Sequence, residues 1–328
     1  MNNDETSNYY EGAYAEYMAG FIRYKRAQGL KYETVPRCLR RLSLFMAARG
    51  VDESSIVKDI IDEWCSQTPN EQSSTQRLRI SYTTEFLKYL REKGVAVRLP
   101  HKKRRKHLKG AFVPYVFSSE ELSRFFESCD RVKARSPSVM PELLPVLFRM
   151  LFGCGLRISE ALNLRVDDVD LECGVMTIRM AKHNQDRLVP LSDSVLSALC
   201  AYSEKRHKII YADDTPYFAH RDGRKVSKDN IYRWFRKVLW SAGISHGGSG
   251  KGPGVHDFRH TFSVYSLKSM TDKGMDIYCA LPVLSTYLGH SSVSATSQYV
   301  RLTQDMFPEV VEKASAIAAF VIPGGSWS

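Results

Sequence analysis

The sequence predicts a mainly α-helical fold with one small antiparallel β-sheet, divided between two domains. The chain has 328 residues, 43% of them hydrophobic, which is enough to bury two separate cores. Apolar residues recur at helical spacing along most of its length. One proline-flanked basic stretch, RLPHKKRRKHLKGAFVP, interrupts that pattern, with almost no apolar residue between Leu99 and Ala111. The boundaries that follow are a helical front domain at 1–98, a basic linker at 99–112 and a second domain at 113–328.

In the front domain four apolar stripes succeed one another. Tyr14, Tyr17, Met18, Phe21 and Ile22 share one helical face, and Val35, Leu39, Leu42, Phe45 and Met46 a second. Ile56, Ile60, Ile61 and Trp64 make a third, and Leu78, Tyr82, Phe86, Leu87 and Leu90 a fourth. Gly29, Arg49-Gly50 and Thr68-Pro69-Asn70 separate them, so a four-helix unit is expected.

The second domain opens with Ser118-Ser119-Glu120-Glu121, in which the Ser118 hydroxyl can accept from an early helix amide while Glu121 reaches back. Further helices are expected at about 141–152, 157–163 and 193–207. Between them, residues 175–180 and 187–190 alternate as two strands, with the turn at 181–186. From Ser227 the pattern is helical again, broken by a glycine-rich loop at 246–254 and ending in an apolar stretch at 310–321. No internal repeat is present.

Charge narrows the function classes. The chain is formally +11, and residues 1–110 hold 21 basic against 13 acidic side chains, so the front third carries most of the excess. That balance favours a polyanionic partner, nucleic acid or an acidic membrane surface. The start, MNNDETSNYY, has neither a basic n-region nor an apolar core, and no apolar run approaches the roughly 20 residues of a membrane helix, so a soluble, unsecreted protein is expected. Seven cysteines, an odd number and never closer than 19 positions, suggest neither a disulfide framework nor a CxxC knuckle. A reducing cytoplasm fits them best.

Polar residues set among apolar neighbours are the candidates for chemistry. Arg157 lies in GCGLRISEALNL where a buried helix begins, and it either awaits an anion or pairs with Glu160 three positions on. Lys182 occupies the hairpin tip, either thrust into a site or merely solvated. VHDFRHTF gathers His256, Arg259 and His260, with His256 and Arg259 one helical turn apart. In TYLGHSSVSATSQYVRL, Gly289 ends a helix, His290 follows, and Tyr299 comes nine residues later on the next helix. His256 and His260 also match the HxxxH spacing of zinc hydrolases, but that reading leaves the basic front domain and Arg157 unexplained and no third ligand is marked. Gly250-Lys251 is the nearest approach to a P-loop, and Ser245 and Gly252 break the pattern; no nucleotide is indicated.

Taken in order, GCGLRISEALNL, AKHNQDRLVPL, HDFRHTF and YLGHSSVSATSQYVRL resemble the tyrosine recombinase (phage integrase) family, across essentially the whole chain. The resemblance identifies the front domain with a DNA-binding, core-binding domain and the rest with a catalytic domain. It assigns catalytic positions to Arg157, Lys182, His256, Arg259, His290 and Tyr299, each occupied by the expected residue type, with Glu160 supporting. The chain departs from shorter members in the longer segment after HDFRHTF, the extra residues falling at 276–281. With the helical unit beginning almost at residue 10, the additional arm-site domain that precedes it in some phage integrases is not expected. LPVLSTYLGH with YVRL is more like integrases and transposases of mobile elements than like Xer-type resolvases.

What the resemblance implies is strand cleavage and rejoining through a 3′-phosphotyrosyl link at Tyr299, without metal, ATP or other cofactor. Two guanidiniums, Arg157 and Arg259, would stabilise the phosphorane charge. His256 would be the first candidate to take the phenolic proton, His290 would bond the phosphate, and Lys182 would protonate the leaving 5′ oxygen. The partners implied are double-stranded DNA, four protomers on two DNA sites, and companion recombinases. Lys102, Lys103, Arg104, Arg105 and Lys106 would grip backbone phosphate, or serve only as a solvated linker. The stretch 308–321 would dock on a neighbouring subunit or pack on its own domain, its charged Glu309, Glu312 and Lys313 arguing against a membrane anchor. The remaining alternatives are a Xer-like chromosome or plasmid dimer resolvase, a DNA-binding protein of this fold without turnover, and the HDxxH zinc hydrolase.

Overall fold

The computed structural model describes residues 9–52, 58–100, 113–134, 138–179, 186–206, 214–248, 252–289 and 294–307. The chain divides into two compact units, residues 1–109 and 110–328.

The first unit holds four described helices, α1 (Ala15–Ala27), α2 (Val35–Ala47), α3 (Lys58–Cys65) and α4 (Ser73–Glu92). Pro36 in the first turn of α2 fits a position where its missing N–H costs nothing. Met18, Phe21, Leu39, Leu42, Ile61, Trp64, Phe86, Leu87 and Leu90 fill the core between them.

One position of the fourth expected stripe departs, while Tyr82, Phe86, Leu87 and Leu90 face the core as expected. Leu78 is 52% exposed, whereas its neighbour Arg79 is 4% exposed. The reason is local: Glu71, in the α3–α4 loop, accepts from Arg79 Nε at 3.0 Å and Nη2 at 2.5 Å, and Ser66 O accepts from Nη2 at 2.9 Å. The guanidinium lies 4.9 Å over the Trp64 ring, whose Nε1–H donates to Thr83 at 2.9 Å. A buried charge met by a carboxylate and a carbonyl takes the inward position that periodicity gave to leucine.

The second unit begins with α5 (Ser119–Asp130), closed by the expected reciprocal cap between Ser118 and Glu121. There follow α6 (Met140–Gly153), α7 (Ile158–Asn163), a three-stranded antiparallel sheet, α8 (Asp193–Arg206), α9 (Lys228–Ser241), α10 (Asp257–Asp272), α11 (Ile277–Leu288) and α12 (Ser294–Met306). The sheet runs β1 (Val169–Asp170), β2 (Val175–Ile178), β3 (Arg187–Pro190), with Met176 opposite Val189. The two-residue β1 is a strand too short to show alternation in the sequence.

Phe258 of α10 stacks on Phe117 at 5.1 Å and meets Phe125 at 5.1 Å and Phe148 at 5.6 Å, centring the main core on this helix. Asp257 accepts the Gly254 and Tyr115 amides, and Thr261 the Phe117 amide, so the start of α10 is stitched to two loops. A second cluster forms where α10, α11 and α12 meet and includes Tyr299. The extra residues at 276–281 enter α11, which Asp276 caps by accepting from the Tyr278 and Cys279 amides. Among the described residues no helix is long and apolar enough to cross a membrane.

Candidate functional site

Arg157 sits where the chain turns from α6 into α7. Gly155 makes the turn: its φ is +60°, and a Cβ there would lie 2.4 Å from the Phe262 ring, so both backbone and space require glycine. Arg157 follows in extended conformation as the N-cap of α7, and Glu160 folds back to accept its amide at 3.0 Å. The pairing of Arg157 with Glu160 foreseen as one of two alternatives is formed, Nη1 donating to Oε1 at 2.5 Å. It leaves the Arg157 side chain 22% exposed.

Glu160 gathers more than its neighbour. Arg187 on β3 donates Nη1 to Oε1 at 3.2 Å and Nη2 to Oε2 at 2.9 Å. Arg259 Nη1 stands 3.8 Å from Oε2. Burial alone would raise the carboxyl pKa; the hydrogen bonds and charge of Arg187, followed by those of Arg157, outweigh it and carry the group down to about 2.

Arg259 is 1% exposed. Its Nη1 donates to Gly155 O at 2.7 Å and its Nη2 to Leu288 O at 2.6 Å. Burial, and then the Arg157 charge, lower its pKa to about 10, so it stays cationic at neutral pH. The last carbonyls of α11 thus end on arginines: Leu288 on Arg259, and Tyr287 on Arg187 Nε at 3.1 Å. Gly289 closes the helix at φ +64°, as expected.

One residue after Arg259 on the same helix, His260 shares a hydrogen bond of 2.9 Å between its Nδ1 and the Tyr299 hydroxyl. Tyr299 is 1% exposed. His256 is one turn away at the mouth of the site, its ring meeting His260 edge-on at 4.7 Å. Although its outer edge meets solvent, desolvation of the inner side, then the Arg259 and Arg157 charges, push its pKa down to about 4. At neutral pH it is an uncharged ring.

The fold therefore brings Arg157, Glu160 and Arg259 into one charged cluster and sets both His256 and Tyr299 against His260. Lys182, His290 and the linker residues Lys102, Lys103, Arg104, Arg105 and Lys106 lie outside the described residues, as does the stretch 308–321. Sequence reasoning nominated His256 as the partner of the tyrosine, yet the hydrogen bond comes from His260. His256 is the N-cap residue of α10 and meets His260, whereas His260 lies inside the helix and reaches Tyr299 of α12. Arg187 was missed. A signal existed: it lies two positions from buried Val189 on a strand, so alternation turns it inward, where an arginine needs an anion.

Three guanidiniums around one carboxylate leave two positive charges, with bidentate donors beside a buried phenol. Such a set can hold a tetrahedral phosphate and stabilise charge developing on it. Among the described residues no group of three His, Cys, Asp or Glu side chains suited to a metal gathers, at HxxxH or elsewhere.

The chain is similar to known proteins over most of its length. The chain is 28% identical over 297 residues, 89% of its length and 94% of the relative's, to a protein of Sinorhizobium fredii named as an integrase/recombinase, y4rB. It is 29% identical over 209 residues to tyrosine recombinase XerA of Pyrococcus furiosus, covering 62% of this chain and 63% of that one. A lambda integrase tetramer bound to a Holliday junction has a similar fold, with a TM-score of 0.62 at 15% identity over 90% of this chain and 78% of that one. The phage integrase family model matches residues 116–306, a span that contains every cluster residue described above. With more than half its length matched in this way, the chain belongs to the phage integrase family, the tyrosine recombinases, enzymes that cleave and rejoin DNA strands.

Proposed function

We propose that this protein is a site-specific DNA recombinase whose nucleophile is Tyr299. The observation that carries the reading is the Tyr299 hydroxyl, hydrogen-bonded to the residue next to Arg259, the most deeply buried arginine of the cluster. A phenol with an ordinary pKa near 10 is a poor nucleophile at neutral pH, and cations with a neighbouring base lower that barrier.

In the proposed reaction the Tyr299 oxygen attacks a phosphodiester phosphorus. The new P–O bond forms to Tyr299, the bond from phosphorus to the 5′ oxygen breaks, and a 3′-phosphotyrosyl link results. Arg157 and Arg259 stabilise the charge on the non-bridging oxygens, and His290 adds a hydrogen bond. The phenolic proton passes to a histidine, either His260 at hydrogen-bonding distance or the uncharged His256 beyond it. Lys182 gives a proton to the leaving oxygen. Attack by another 5′ hydroxyl reverses the step and joins new strands, with no net change in bond type and so no need for ATP.

The substrate is duplex DNA, gripped by the cationic front domain and the linker Lys102–Lys106, and exchange between two duplexes takes four protomers. The lambda integrase tetramer supports that stoichiometry by fold alone. For the biological role we favour integration or transposition of a mobile element, on the LPVLSTYLGH and YVRL segments and the full-length similarity to an integrase/recombinase. Dimer resolution is the second reading, favoured by the match to XerA.

A nicked suicide duplex drawn from the DNA flanking the coding region tests the activity. Wild-type protein is expected to form a covalent adduct that survives denaturation, is unaffected by chelator and is lost in Tyr299→Phe. Binding without adduct would make it a DNA-binding protein of this fold, and chelator-sensitive hydrolysis would reject the recombinase. Element ends or companion recombinase genes in that flanking DNA would separate the two roles.

A further inference from the structure

Glu160 presents a puzzle for any phosphate-binding role of its neighbours. A carboxylate buried beside Arg157 and Arg259 offers those guanidiniums the same geometry as a phosphate, and it is always present. Unless its hydrogen-bonding capacity is used elsewhere, it competes with substrate.

A carboxylate has about four lone-pair sites. On Glu160, Arg187 fills one on each oxygen, the Arg157 amide another on Oε2, and Arg157 Nη1 another on Oε1. Arg259 stays 3.8 Å away, beyond hydrogen-bonding distance, and donates instead to the carbonyls of Gly155 and Leu288. Arg187 is itself held from a third side: its Nε donates to Tyr287 O, and Gly289 packs against it so closely that a Cβ would lie 3.1 Å from Nη1.

We infer that Arg187 is a positioning residue that saturates Glu160 and so keeps Arg259 free for the substrate phosphate. Resting on the recombinase reading, this gives a task to a residue that need not touch DNA. Without Arg187, two lone pairs open beside Arg259, the ion pair shortens, and the Arg259 fork leaves the Gly155 and Leu288 carbonyls that aim it. A lysine at this position keeps the charge but fills one site in place of two.

The rate of covalent adduct formation on a pool of nicked duplexes with randomised core sequences tests it. Arg187→Met should slow adduct formation on the order of 100-fold, as a displaced catalytic group does. Arg187→Lys should fall between it and wild type. In a Glu160→Gln background, where the competing charge is gone, the same Arg187→Met change should cost less than about threefold in adduct rate, a coupling larger than the one the pair shows in thermal stability; a merely structural contact would couple equally in both. An equal loss in both backgrounds, or no loss in either, would overturn the inference. Thermal unfolding of each variant identifies one that fails to fold, in which case Arg187→Lys in the two backgrounds decides. If wild-type protein forms no adduct on the pool, the recombinase reading itself fails.

Discussion

The Tyr299 hydroxyl and His260 Nδ1 lie 2.9 Å apart, from two helices of different position in the chain, and the tyrosine side chain is 1% exposed. This contact fixes the phenol on the turn of α10 that also carries Arg259. His260 is buried as well, so removing either partner strands a polar atom of the other, at about 1–3 kcal/mol. His260→Leu and Tyr299→Phe should therefore each destabilise the second unit, as measured by urea unfolding. Wild-type stability in both would show that the contact contributes nothing.

His256 gives the pH dependence a definite sign. Its pKa is about 4 in the folded chain against an ordinary 6.5, so between those values the unfolded chain binds a proton that the folded chain refuses. Its contribution to stability is intact above 6.5 and is lost as the pH falls toward 4. Histidine ring-proton NMR, with His256→Gln for assignment, should show one imidazole of the free protein titrating far below the ordinary range. An inflection near 6.5 for that ring would contradict the shift.

Gly155→Ala tests the turn that aims Arg259. Its Cβ would meet Phe262 at 2.4 Å at a φ of +60°, while the Gly155 carbonyl accepts from Arg259 at 2.7 Å. Overpacking of this kind costs about 1–3 kcal/mol. We expect a lowered denaturation midpoint together with slower adduct formation. Wild-type values for both would show that the turn tolerates a side chain.

In the first unit the buried pair Arg79–Glu71 predicts a contrast between adjacent positions. Glu71→Ala strands a charge and should cost about 3–5 kcal/mol. Leu78→Ser, at an exposed site, should change stability by no more than about 0.5 kcal/mol. Calorimetry on both variants checks this, and a larger loss from Leu78→Ser would restore it to the core.

Replacing Lys102, Lys103, Arg104, Arg105 and Lys106 with alanine should weaken DNA binding at every sequence and flatten the dependence of affinity on salt, by counterion release. Fluorescence anisotropy across a salt series measures it. An unchanged slope would leave these charges a solvated linker.

Much of the architecture was legible along the chain because it rests on short-range rules. The Ser118–Glu121 cap, the glycine stop at Gly289 and most of the four apolar stripes in the front unit, Ile56 lying outside the described residues, depend on residues within a turn or two of one another. In the fourth stripe only Leu78 departs, because a carboxylate from the preceding loop, Glu71, eight residues from Arg79, made burial of Arg79 cheaper than periodicity alone allows.

The sequence by itself determined the helical class and the order of the family's motifs, and singled out Arg157, Arg259 and Tyr299, since residue type and spacing are written in the chain. Only the tertiary structure decided that Arg187, 27 residues from Glu160, completes its hydrogen bonds, and that His260, 39 residues from Tyr299, holds the phenol. Both are long-range pairings. A side chain's hydrogen-bonding partner depends on which faces the packed core brings together, and no local pattern records that.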